Sequence, residues 1–229
     1  LSVVAPAQAR PSQAPPGYAY VRFDAGGYPL GDDHGRYDER PALRVQLSGF
    51  ELARTEVSNR EFALFVSATG YAPQGPFRDG YPAGGDDLPV RFVTWHDAQA
   101  FTRWAGCRLP SEAQWEASAR SSAALVGGSA RLGPVDDPSS APSQLLHLAD
   151  NVREWTADWY DRYAYRGYAA AATAPLDPSG PNDGTPPERR FLETDNEAGN
   201  ERSTRRAVRG GSWAATSADQ RRPSVRDAR

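Results

Sequence analysis

With 229 residues, 39% of them hydrophobic and six of them Trp, the chain is long enough to bury a sizeable core and too apolar to be disordered. A net charge near −3 gives no electrostatic case for a nucleic-acid partner, and no apolar run reaches membrane-spanning length. All 26 cations are Arg, which excludes Lys-nucleophile and Schiff-base chemistry; the single Cys107 excludes an intrachain disulfide and a Cys-based zinc site.

In chain order, residues 1–17 are rich in Ala, Pro, Ser and Gln and read as an extended tail. Two readings stand for its start: the Ala7-Gln8-Ala9 site of a signal peptide on an exported protein, or an Ala/Pro-rich linker. The alternation over Tyr18 to Phe23 predicts a first strand, and Val45, Leu47 and Phe50-Glu51-Leu52 predict strand after the Gly31-Asp32-Asp33 loop. Ser58-Asn59-Arg60-Glu61 is a capping box, with Phe62, Phe65 and Val66 on one face behind it and Gly70 as the stop. Thr94-Trp95-His96-Asp97 opens a second helix, with Ala98, Phe101 and Ala105 inward, and Ser111-Glu112-Ala113-Gln114 opens a third. Residues 121–147 and 169–205 predict long loops. The whole suits one α+β domain over 18–229, with short strands, few helices and much irregular loop.

Several segments carry a family resemblance. They are Ala25-Gly26-Gly27-Tyr28-Pro29-Leu30-Gly31-Asp32, Thr55-Glu56-Val57-Ser58-Asn59, Pro89-Val90-Arg91-Phe92-Val93-Thr94-Trp95, Arg108-Leu109-Pro110-Ser111-Glu112-Ala113-Gln114-Trp115-Glu116, Asp150-Asn151-Val152-Arg153-Glu154-Trp155 and Arg209-Gly210-Gly211-Ser212-Trp213. In that order they resemble the formylglycine-generating enzymes, or sulfatase-modifying factors, whose fold is a variant of the C-type lectin fold. The resemblance implies oxidation of a sulfatase cysteine to formylglycine by copper(I) held on two cysteines after the Gly-Gly-Ser-aromatic motif. Counting from that motif, those places hold Ala215 and Gln220, and neither supplies sulfur. A related iron-dependent branch needs a His-rich site, and His34, His96 and His147 have no ligand spacing. Members also usually carry a final Gly-Phe-Arg strand, which this sequence lacks.

The resemblance also implies room for one structural calcium ion, on Asn151, the Val152 carbonyl and Glu154; the alternative is that these residues hydrogen-bond a tight turn. No other cofactor is expected. Trp213, Asp219, Gln220, Arg221, Arg222 and Arg226 fall, by resemblance, along the groove where relatives meet substrate; a surface strand with a solvated charge face is the other reading. Asp32-Asp33 and Asp86-Asp87 read as solvated loop charge. The expected function is a non-catalytic binding or scaffold protein, with a protein partner or a larger exported or envelope complex. The alternative is a protein-modifying oxidoreductase that uses another centre.

Overall fold

The computed structural model describes residues 1–5, 19–121, 131–137, 145–180 and 205–229. The long loops expected at 121–147 and 169–205, and the tail over 6–17, lie partly or wholly outside these residues.

All three predicted helix starts are present. Helix α1 (Asn59–Thr69) begins at Ser58, whose hydroxyl accepts from the Glu61 N–H while Glu61 reaches back, and it ends at Gly70 in the left-handed region. Helix α2 (Trp95–Trp104) has the same box between Thr94 and Asp97. In α3 (Glu112–Ser121) the partners are Ser111 and Gln114, each accepting the other's backbone N–H. Phe62 and Phe65 of α1 meet Phe101 of α2 in one aromatic cluster, as the apolar spacing requires, and Phe77 of the 77–80 turn joins them. Of the motif tryptophans, Trp115 is buried, while Trp95, Trp104, Trp155 and Trp159 are half-buried.

Asp97 does more than cap. Its carboxylate accepts the N–H groups of Gln74, Gly75 and Thr94 at 2.8, 2.9 and 2.8 Å, and the Tyr71 hydroxyl at 3.0 Å. Burial alone would raise its pKa; the backbone N–H groups outweigh that and hold it below the usual carboxylate range. The folded value is depressed, so this stabilisation is present above the unfolded pKa near 4 and is lost as pH falls through the folded pKa. Asp97→Asn should therefore cost about 2–3 kcal/mol in urea unfolding at pH 7 and clearly less at pH 3. An equal cost at both pH values would refute the assignment.

The strands form small antiparallel pairs. Strand β1 (Tyr20–Phe23) pairs with β4 (Phe50–Ala53), and β2 (Gly26–Leu30) with β3 (Leu43–Leu47). Strands β5 (Glu154–Trp159), β6 (Arg206–Arg209) and β7 (Arg226–Ala228) form the third sheet in that order. A short helix α4 (Ala164–Ala169) packs near β3. No helix among the described residues is long and apolar enough to cross a membrane.

The first residues correct the expected tail. Leu1, Ser2, Val3 and Val4 are all buried, and Val4 bridges Leu52 of β4 on one side and Arg108 on the other. Leu1 and Val3 join the cluster around Phe62 and Phe101; Val4 joins the cluster around Phe23, Leu52 and Trp115. This period-2 split makes the segment a strand between two half-cores. Ala7-Gln8-Ala9 lies outside the described residues, but a cut after Ala9 would remove this strand.

Candidate functional site

The site is built where β6 runs into Gly210 and Gly211. Gly210 has φ +86°, and a Cβ on Gly211 would fall 2.2 Å from the Ala149 carbonyl oxygen, so only glycine lets the chain pass this close to the 147–151 turn. The Trp213 N–H then donates to the Asn151 carbonyl at 2.9 Å, and the Trp213 side chain is left 42% exposed. An indole this exposed after so tightly packed an anchor is the main apolar feature of the loop.

Beyond Trp213 the chain turns back on itself instead of forming a surface strand. The Ala215 N–H donates to the Ser212 carbonyl, the Gln220 side-chain oxygen accepts the Thr216 N–H at 2.9 Å, and Arg221 donates to the Ala215 carbonyl at 3.2 Å. Residues 218–221 make a single 3-10 turn. The two places that the resemblance assigns to copper are thus an alanine without a donor side chain and a glutamine amide committed to its own turn. Neither fits a soft cation. Cys107 lies elsewhere, in the turn after α2, where its N–H donates to the Thr102 carbonyl.

Arg222 is committed as well. Its guanidinium binds Asp219 at 2.6 Å, Asp32 at 3.0 Å, Glu39 at 2.7 Å and the Ser224 hydroxyl at 2.7 Å. Burial would push Glu39 up, but Arg222, Ser224 and Arg36 hold its carboxyl below the usual range. Asp32 is therefore a structural ion-pair member, whereas Asp86 and Asp87 pair with the exposed Arg60.

Arg226 departs furthest from expectation, for it is 1% exposed and does not line a groove. Its Nε and Nη2 grip both oxygens of Glu112 at 2.7 and 2.8 Å, and Nη1 donates to the carbonyls of Asp38 and Asp161. Arg209 binds Glu112 from another side and also Glu116. Two guanidiniums against two carboxylates, closed by the Tyr165 hydroxyl on Glu116, form a buried ionic centre beneath the Gly-Gly loop. Of the six predicted contact residues, Trp213 and Asp219 remain exposed, with Ala214, Thr216 and Ser217 between them.

Asn151 and Glu154 of the Asn151-Val152-Glu154 set are engaged in hydrogen bonds within the fold. Asn151 has φ +55°; its side-chain oxygen accepts the Gly133 N–H at 3.0 Å, and its amide donates to Glu56 at 2.6 Å. Both Glu154 oxygens are taken, one by the Ser2 hydroxyl and the other by the Trp115 indole N–H. The Asn151 and Glu154 oxygens are thus directed toward N–H and O–H donors, the arrangement of the tight-turn alternative. Among the described residues, no three His, Cys, Asp or Glu side chains come together in a metal-holding group.

Sequence reasoning missed Glu56 and His147, which brace the same turn. His147 faces Asp150 at 2.9 Å and the Pro134 carbonyl at 3.0 Å on its two nitrogens, a setting that favours the charged ring. Burial opposes that charge, but Asp150, Glu56 and the carbonyl hold its pKa above the usual imidazole value. Glu56 is pushed up to about 8 by burial and by the nearby Glu154 carboxylate. The only sequence signal was the position of these residues inside or beside family motifs.

A family model of the sulfatase-modifying factor enzyme 1-like domain matches residues 6–131 and 127–229. The chain is 32% identical over 218 residues to the formylglycine-generating enzyme of Thermomonospora curvata, covering 64% of this chain and 71% of that protein. It is 31% identical over 190 residues to the serine/threonine-protein kinase Pkn1 of Chlamydia trachomatis, covering 69% of this chain but only 31% of that relative's length. Among solved structures, PvdO from Pseudomonas aeruginosa superposes with a TM-score of 0.68 at 20% identity, over 92% of this chain and 87% of that one. Treponema denticola variable protein 1 superposes with a TM-score of 0.61 at 19% identity, over 98% and 94%. The fold is the formylglycine-generating-enzyme-like variant of the C-type lectin fold, and the chain belongs to the sulfatase-modifying factor enzyme 1-like family.

Proposed function

We propose that this chain is a non-catalytic binding or scaffold module that holds a partner protein at the surface around Trp213. The observation that carries the reading is the replacement of both copper-binding positions, by Ala215 and by a Gln220 whose side-chain oxygen is bonded to the Thr216 N–H. Without thiolates there is neither a soft-metal site nor a mixed disulfide with a substrate cysteine. What the loop offers instead is an exposed indole on a rigid anchor, flanked by short polar residues, which suits recognition at small ordering cost. In the Chlamydia relative the matching part is 31% of a longer protein, which accords with a module that serves a larger assembly.

Two measurements test this. Incubated with a sulfatase-motif peptide, copper(I) and oxygen, the purified protein should form no formylglycine; product above the buffer blank would overturn the proposal. A photo-crosslinking residue at position 213, introduced in the native cell, should trap one stoichiometric partner. Trp213→Ala should weaken capture of that partner at least tenfold while changing stability by about 0.5 kcal/mol or less. Equal capture by the variant would remove Trp213 from the interface.

A further inference from the structure

We propose a second binding site, for the carboxylate side chain of an acidic partner peptide, in the pocket between residues 36–38 and 160–162. The pocket measures about 370 Å³ and is lined by Arg36, Tyr37, Asp38, Tyr160 and Arg162. Arg162 lies 5.1 Å from the Tyr37 ring centroid and 5.2 Å from that of Tyr163, and Arg166 lies 3.7 Å from Tyr37. Tyr163 meets Tyr37 edge to face at 5.7 Å, so the stacked aromatic base is itself braced.

The arginines divide into two kinds. Arg36 is spent within the fold, its Nε on Glu39 at 3.0 Å and an Nη on the Arg226 carbonyl. Arg162 and Arg166 have no carboxylate partner among the described residues, and both are exposed. A guanidinium held against an aromatic ring and not spent on an internal carboxylate can still offer a ligand carboxylate two parallel N–H···O bonds. Opposing charge is scarce: Glu39 is neutralised by Arg222 and Arg36, and Asp38 accepts the Tyr160 hydroxyl at 2.7 Å.

Asp38 is the one carboxylate among the lining residues, and it stands 3.9 Å from the Arg36 Nε. The exposed ring of Tyr37 beside the arginines gives a peptide further area to cover, which a small free acid could not use. This site does not depend on the Trp213 reading, and either can fail alone.

The test uses the full chain and a blocked hexapeptide, acetyl-Gly-Glu-Glu-Asp-Glu-Gly-amide, in calorimetric titrations at low salt. The peptide should bind, its affinity should fall as salt rises, and it should shift the side-chain Nε–H resonances of Arg162 and Arg166. The Arg162→Glu/Arg166→Glu double variant should bind at least tenfold more weakly with an unchanged melting temperature, whereas Arg22→Glu, on β1, should bind as wild type. Should the double variant lose stability, Arg162→Gln and Arg166→Gln made singly should each still weaken binding. Equal binding of the Gln/Asn version of the peptide, tighter binding of inorganic phosphate, an equal loss in Arg22→Glu, or no binding at millimolar peptide would each overturn the proposal.

Discussion

Glu112→Ala should destabilise the protein by about 3–5 kcal/mol at neutral pH, the cost of leaving buried charge without its partner. Glu112 takes both Nε and Nη2 of Arg226 and one donor of Arg209, and all three side chains are essentially inaccessible to water. Burial would raise its pKa, but the two arginines outweigh that and hold it ionised, below the usual range. Removing it leaves Arg226 bonded to two backbone carbonyls and to no carboxylate, because Glu116 already serves Arg209.

A neighbouring carboxylate makes the effect diagnostic. Asp158, also buried, is pushed up to about 8 by burial and then by the Glu112 charge, so near neutral pH it is mostly protonated. Its folded pKa is raised. The stability it contributes is fully present below the unfolded value near 4 and is lost as pH rises through about 8. With Glu112 gone, Asp158 faces the two arginines without a competing anion, ionises, and stands in for the missing charge. Glu112→Ala should therefore show a smaller loss of stability between pH 6 and 9 than wild type. Glu112→Ala/Asp158→Asn should be worse than the sum of the single changes. Urea unfolding over that pH range measures both, and strict additivity would dismiss the proposed exchange of roles.

How much of this was legible depends on how far apart the interacting residues lie. The capping boxes were, since a Ser or Thr and the residue three positions on exchange hydrogen bonds within one turn. The family segments fell in order, and with them the fold. Strand β2 was not read as a strand, because Gly26, Gly27 and Pro29 have poor strand propensity; its pairing with β3 is imposed by the tertiary structure. Arg226 looked like a surface cation because charge usually means solvent, and its burial is set by Glu112, 114 positions away. The bonding of Glu154 was out of reach for a similar reason: Ser2 lies 152 positions from the Glu154 oxygen it occupies.

The largest effect should follow from the segment that looked most dispensable. Leu1, Val3 and Val4 are each at most 2% exposed, and burial of side chains of this size stabilises by about 1.5–3 kcal/mol apiece. Backbone bonds secure the segment on both sides: Val4 exchanges two with Arg108, at 2.8 and 3.1 Å, the Val3 carbonyl accepts from Ala53, and the Leu1 carbonyl accepts from Val57. Ordering five residues costs part of this, but the strand also covers apolar faces of both half-cores, which its loss would open to water. Removal of residues 1–5 should lower stability by on the order of 5 kcal/mol, comparable to the whole stability of many domains. Val3→Asp, which buries an unpaired charge between Ala53 and the Phe62 cluster, should approach the same loss. A synthetic Leu1–Ala5 peptide added in trans should restore part of the melting temperature in the truncated protein and none in Val3→Asp, whose own segment still occupies the groove. A truncated protein that melts within about 2 °C of the full chain would mean that the two half-cores close without this strand.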